Sequence, residues 1–380
     1  MKKLALFLAC LFSLAACKDS SGPSSGSGPS EVKIGLITDV GGRGDESFND
    51  SALRGLEMWA AGKKYAVSGY QPLPNAEFQA SITPDLKNEH IAHLGVSPVI
   101  LQAKAHEDYE PDLDLLVKEK VSLTIGVGFM LENAIEATAK KHPESRFLLI
   151  DSPILDAQNK PYTLPNVMTA IFRENESCFL AGAVAGLASK SGKVGFVGGM
   201  EIPIIKRFEA GFVAGLKIVN PELAAQAKRV YTGNFDDSAS GKRIALDLYN
   251  QGVDVVFHAA GSGGLGVIQA AKEQNKFAIG CDADQAHLAP KNVITSTLKH
   301  VDYAVYRAIK AVADKKFAPG DAVLGLRDGG VGLTSITVDF PGKDAGLAKV
   351  EKLRKAVMAG QIKVPATIDE LNSWTPPKLE

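Results

Sequence analysis

From residue 32 onward, short apolar runs rich in β-branched residues alternate with longer stretches whose apolar residues recur at helical spacing, and this alternation constrains the fold more than anything else in the chain. Strands are expected at 32–38, 99–102, 123–127, 147–151, 167–172, 194–197, 228–231, 253–258, 277–281 and 293–296. Amphipathic helices are expected between most of them, at 112–119, 132–141, 176–189, 205–219, 242–250 and 265–273. Regular strand–helix repetition builds parallel sheets covered on both faces. A chain of 380 residues exceeds one ordinary core, so two α/β lobes are expected. Near 292–299 and 324–334, strands occur without a long helix behind them, which suits segments crossing between lobes. The expected division is 32–170 plus 296–325 for one lobe and 171–295 plus 326–380 for the other. Residues Lys63 to Pro98, with Pro72, Pro74, Pro84 and Pro98 among polar residues, read as an irregular excursion from the first lobe.

Open α/β sheets bind ligands at the carboxyl ends of their strands. The first such end is Asp39-Val-Gly-Gly-Arg-Gly-Asp-Glu-Ser-Phe-Asn49, where three glycines turn the backbone and Ser47-Phe-Asn49 opens a helical pattern through Leu53, Leu56, Trp59 and Ala60. Phe48 there offers a flat apolar face between hydrogen-bonding side chains, which suits a heteroaromatic ligand. A second strand, glycine loop and helix runs through Gly195-Phe-Val-Gly-Gly-Met-Glu-Ile-Pro203 to Phe208 and Phe212. Phe212 is expected in the core; Phe208, nearer the loop, can project into a cleft. Asp282, in Ile279-Gly-Cys-Asp-Ala-Asp-Gln285, can either cap a helix or accept both hydroxyls of a cis-diol. Lys299, on a crossover segment, is either a surface lysine or a cleft residue.

Gly261-Ser-Gly-Gly-Leu-Gly266 follows an expected strand, opens a helix and satisfies the dinucleotide fingerprint, with Asp282 beyond it. It comes late in the chain rather than on the first strand, and the amino-terminal export signal places it where nicotinamide cofactors are scarce. The physical content that remains is backbone N–H groups at a helix start, near Gly261, approaching a ligand.

That export signal is Met1-Lys-Lys3, then an apolar run to Ala16 too short for a membrane span of ~20 residues. Leu14-Ala-Ala-Cys17 resembles a bacterial lipobox, so residues 1–16 are expected to be removed and Cys17 to carry lipid. The Ser/Gly/Pro-rich tract within 17–31 is expected to be a flexible tether holding the folded body outside the cytoplasm. Net charge is −1 and no stretch is basic, which argues against nucleic acid as a partner. Cys178 and Cys281 read as small buried side chains rather than a disulfide framework. No metal spacing, nucleophile elbow or histidine with a nucleophile beside it is visible, so neither a metal, a cofactor nor an enzymatic activity is expected.

Asp45-Glu-Ser-Phe-Asn49, Tyr109-Glu-Pro-Asp112, Ile125-Gly-Val-Gly-Phe129, Glu176 through Gly182, Gly192 through Met200, Gly261 through Gly266, Ile279 through Gln285, Thr295 through Lys299 and Gly360 through Pro365 together resemble the basic membrane protein family of bacterial lipoproteins, which includes purine nucleoside receptors. The resemblance implies a type I periplasmic binding protein: two Rossmann-like lobes joined by three crossover strands. It further implies that Phe48 and Phe208 sandwich a purine and that Ser47 and Asn49 hydrogen-bond base or sugar. Asp282 would take the ribose hydroxyls, with Lys299, the backbone near Gly261, and Asp39 completing the pocket. The partners it implies are a purine nucleoside and an ABC-type permease, with the protein a lipid-anchored monomer at the cell envelope. The same fold holding another small polar ligand, such as a sugar or signalling molecule, and a surface adhesin or sensor are the alternatives. Residues 63–98 look longer than the family's usual counterpart.

Overall fold

Lys33–Thr38 (β1) is buried at every position after the first, as a strand with neighbours on both sides must be. The computed structural model describes residues 32–378. The expected export signal, Cys17 and the tether lie outside the described residues. Around β1 the first sheet contains Ser97–Gln102 (β2), Leu123–Val127 (β3), Phe147–Ile150 (β4) and Val167–Phe172 (β5). The second sheet contains Val194–Gly198 (β6), Lys228–Tyr231 (β7), Val255–Ala259 (β8), Phe277–Gly280 (β9) and Val293–Lys299 (β10). Gly320–Leu324 (β11) returns to the first sheet, and Val331–Leu333 (β12) to the second. Strand order is β11-β5-β4-β3-β1-β2 in one sheet and β7-β6-β8-β9-β10-β12 in the other. Within these two sheets the pairings are parallel except β10 with β12, where Leu298 faces Gly332.

The chain therefore passes between sheets three times: after Phe172, after Lys299, and between Leu324 and Val331. β10 stays in the second sheet to its end, so the second crossing comes after Lys299 rather than at the expected 296, and β5 holds the first sheet through Phe172 rather than 170. The helix Glu174–Ala188 then packs on the helix Pro203–Val219 under the second sheet. Their contact is close because it is lined by glycine: a Cβ on Gly182 would lie 2.0 Å from the Phe212 carbonyl oxygen, and one on Gly215 would lie 1.9 Å from that of Phe179. Phe212 is fully buried between Phe196 and Phe257, with ring centroids 6.2 and 5.2 Å away.

The excursion is less irregular than its prolines suggest. Lys63–Ala66 and Gly69–Pro72 form a hairpin, Asn75–Ser81 a helix, and Pro84–Glu89 a 3₁₀ turn, after which β2 begins at Ser97. Phe78, Ile82, Leu86 and Ile91 are buried. The segment is tied down by the Ala92 N–H donating to the Tyr306 hydroxyl at 3.0 Å and by Asp85 meeting His300 at 2.8 Å. No helix among the described residues is long and apolar enough to cross a membrane.

Candidate ligand-binding cleft

The carboxyl ends of β1, β3 and β4 in the first lobe face those of β8 and β9 in the second across a shared cavity. Its walls include Asp39, Asp45, Phe48, Asn49, Gly128, Phe129 and Asp151 from the first lobe, with Ile204, Ile205, Phe208, Phe235, Ala259, Gly261, Cys281, Asp282 and Lys299 from the second. Seven of the eight residues expected to bind ligand are thus brought together: Asp39, Phe48, Asn49, Phe208, Gly261, Asp282 and Lys299.

Ser47 is the exception. Its hydroxyl does not line the cavity but donates to the Cys281 carbonyl at 3.0 Å, across the lobes. Nor does it cap the helix that begins at Phe48. Asp45 takes that role, its carboxylate accepting the N–H groups of Ser47, Asn49 and Asp50 at 3.0, 2.8 and 3.1 Å. Burial, with Asp50 nearby, nonetheless pushes the Asp45 carboxyl up to about 7. Asp39 accepts the Gly41 N–H at 2.9 Å and the Asn49 amide at 2.8 Å on one oxygen. Its other oxygen lies where a Cβ on Gly128 would come within 3.1 Å, and Gly128 has φ +110, so this corner of the cavity requires glycine twice over. Burial raises Asp39 as well.

Lys299 ends β10 with its ammonium group buried at the centre of the site. It lies 2.6 Å from Asp151 and 3.0 Å from Glu174, and 5.1, 5.3 and 5.4 Å from the ring centres of Phe48, Phe208 and Phe172. Phe48 and Phe208, from opposite lobes, thus converge on one cation. Burial alone would favour a neutral lysine, but Asp151, Glu174 and Asp282 outweigh it and raise the ammonium's pKa. Glu174, also paired with Arg207 at 3.0 Å, is held low despite burial by the two cations. Asp151 goes the other way: burial and the carboxylates of Glu174 and Asp282 bring it to about 7, against the pull of Lys299.

Asp282 sits in the left-handed region at φ +65, and its Oδ1 is buried with no hydrogen-bond partner among the described residues. It does not cap a helix; it presents an acceptor to the cavity. Burial raises its pKa, and Lys299 opposes that rise. Asn49 likewise leaves its Oδ1 without a partner among the described residues. The glycine fingerprint resolves into packing: a Cβ on Gly266 would lie 1.9 Å from the Ser238 carbonyl oxygen, and one on Gly264 would lie 2.0 Å from His258 Cε1. Of the four glycines in this stretch, Gly261 lines the cavity.

Sequence reasoning assigned no role to Phe129 and Phe235, whose rings meet edge to face across the lobes at 6.4 Å. Both follow strand ends, and that position was the available signal. Cys281, expected as a small buried side chain, is a buried free thiol that also forms part of the cavity wall; Cys178 is a buried free thiol elsewhere.

Two α/β lobes meeting over a cavity lined by strand ends, with three crossings between them, are the architecture of the type I periplasmic binding protein class. The chain belongs to the Bmp family, whose model, described as ABC transporter substrate-binding protein PnrA-like, matches residues 32–367. It is 34% identical to the ABC transporter nucleoside-binding protein BmpA of Lactococcus lactis, covering 95% of this chain and 97% of that one. It is 33% identical to an uncharacterised lipoprotein of Pyrococcus abyssi, over 87% of this chain and 77% of that one. The crystal structure of an ABC transporter solute-binding protein from Aeropyrum pernix superposes with a TM-score of 0.71 at 30% identity, covering 90% of this chain and 96% of that one. The family is one of transport binding proteins and not an enzyme class.

Proposed function

We propose that this protein captures purine nucleosides outside the cytoplasm and delivers them to an ABC-type permease, tethered to the membrane by lipid on Cys17. The observation that carries the ligand is the convergence of Phe48 and Phe208, one from each lobe, on a cavity that also holds an unpartnered carboxylate oxygen of Asp282. Two rings on opposite walls suit a flat heterocycle, each stack contributing roughly 1–3 kcal/mol by analogy with bases on aromatic side chains. A carboxylate acceptor beside them suits a cis-diol. In this reading Asn49 hydrogen-bonds the base or sugar and Asp282 takes the ribose hydroxyls, with Lys299, the Gly261 backbone and Asp39 completing the pocket.

Charge supports a nucleoside over a nucleotide. Asp39, Asp151 and Asp282 share the cavity wall with Lys299, whose ammonium is already engaged by Asp151 and Glu174. A phosphate would meet carboxylates in a buried setting. The name of the Lactococcus relative supports the same reading, and the lipoprotein relative supports the anchored location.

Calorimetric titration of the purified protein with inosine, guanosine, adenosine, ribose and AMP tests this, with chromatography of each mixture for free base. Heat with nucleosides and none with ribose or AMP is expected. Release of free base would require an enzyme, and silence with all three nucleosides would reject the ligand.

A further inference from the structure

Beside the cavity, two short segments touch each other directly. Glu46 and Ser47 immediately precede Phe48 and Asn49 in the first lobe, and Cys281 to Gln285 is the second-lobe turn that carries Asp282. Ser47 Oγ donates to the Cys281 carbonyl at 3.0 Å, and Gln285 Nε2 donates to the Glu46 carbonyl at 3.1 Å. In each segment, residues facing the cavity are next to residues bonded to the opposite lobe.

Gln285 has no solvent exposure, and its amide orientation is dictated by its neighbours. The Cys281 N–H, 2.9 Å away, can only donate, so the group facing it is the oxygen Oε1. Oε1 is also 2.9 Å from His258 Nε2, which therefore carries a proton and donates. The Gln285 backbone N–H donates to Ser296 Oγ at 3.1 Å. With its oxygen held twice from within the second lobe, the amide can direct its N–H only toward the first. Its donor is oriented before the lobes meet, so little side-chain freedom remains to be lost on closure.

We propose that Gln285 is a positioning residue which, with Ser47, latches the two lobes together and ties capture of ligand at Asp282 to closure. This rests on the reading of the protein as a closing solute trap, not on which solute it holds. Both acceptors are main-chain carbonyls, so the latch depends on the donors at 47 and 285 and not on the side chain at 46.

The test uses Ser47→Ala and Gln285→Glu. The second keeps an oxygen for Cys281 and His258 but sets a carboxylate against the Glu46 carbonyl in place of the donor. Stopped-flow fluorescence with 2-aminopurine riboside is expected to show dissociation faster by about tenfold and association changed by less than about twofold, the pattern of lost closed-state contacts. Hydrogen exchange of the whole protein supplies a readout that needs no ligand. A change at 285 is expected to speed exchange of the peptide spanning 44–50, in the other lobe, which a role confined to the second lobe would leave alone. Unaltered exchange of that peptide in Gln285→Glu overturns the latch, as does unaltered dissociation in both variants. If the wild-type protein does not bind the riboside, exchange alone decides the latch.

Discussion

Phe208 serves both the fold and the cleft: it is buried to 3% exposure, yet one side of its ring faces Lys299 and the cavity. Phe208→Leu keeps apolar volume but removes the flat face, so inosine affinity is expected to fall by about tenfold or more, a stack being worth roughly 1–3 kcal/mol. Melting temperature should move only a few degrees, since a volume-conserving swap costs under about 1.5 kcal/mol. Calorimetry beside a thermal melt separates the two effects. Lys299→Met is expected to cost stability as well. It leaves Asp151 and Glu174 buried beside each other without their shared cation, and a broken buried pair costs about 3–5 kcal/mol. Denaturant unfolding should show that loss with or without ligand. Phe48 and Phe208 were legible in the sequence because each lies in the helix that follows a strand and a glycine loop, Asp282 because it lies just past a strand end, and Lys299 because it lies on a crossover segment. The role of Ser47 was not, because its partner Cys281 is remote in sequence and nothing local to residue 47 encodes it.

Strands and helices owe their placement to local pattern, but their closest contacts depend on what is missing from certain positions. Where the helices Glu174–Ala188 and Pro203–Val219 cross, a methyl at Gly215 would meet the Phe179 carbonyl oxygen at 1.9 Å, backbone that cannot step aside. Gly215→Ala is expected to destabilise by about 1–3 kcal/mol despite alanine's better helix propensity, a reversal that chemical denaturation can measure. The second crossing between lobes has its own electrostatic tie. His300 follows Lys299 and meets Asp85 at 2.8 Å and Asp302 at 3.6 Å, while Asp302 is paired with Arg54 at 2.7 Å. Burial opposes the imidazolium, but Asp302 and Asp85 prevail and raise it to about 9. A raised folded pKa stabilises fully below the unfolded value of 6.5 and loses that contribution as pH climbs through about 9. The melting temperature should therefore decline between those limits, and His300→Gln should flatten the decline. The same contact explains why residues 63–98 looked irregular in sequence: their order comes from packing on the helix Val301–Ala313 and bonding to His300, partners encoded far away.

For the molecule as a whole, the proposed division of ligand contacts between lobes would make closure the step that ligand drives, because a solute shifts an equilibrium only by binding one state better. Small-angle scattering should show the radius of gyration falling when inosine is added, and Gln285→Glu should reduce that fall at subsaturating ligand. The α/β alternation, ten of the twelve strands in the two sheets and the strand ends that line the cavity were legible in the sequence alone. Hydrophobic period and β-branching are properties of neighbouring residues, so they survive without coordinates. Only the tertiary structure decided that the chain leaves the second sheet after Lys299, that Gly264 and Gly266 of a nucleotide-like stretch serve packing, and that Phe129 and Phe235 meet over the cleft. It also decided which carboxylates share one buried ammonium. Each of those depends on the distance and solvent exclusion between groups from different elements, quantities that exist only once the chain has closed on itself.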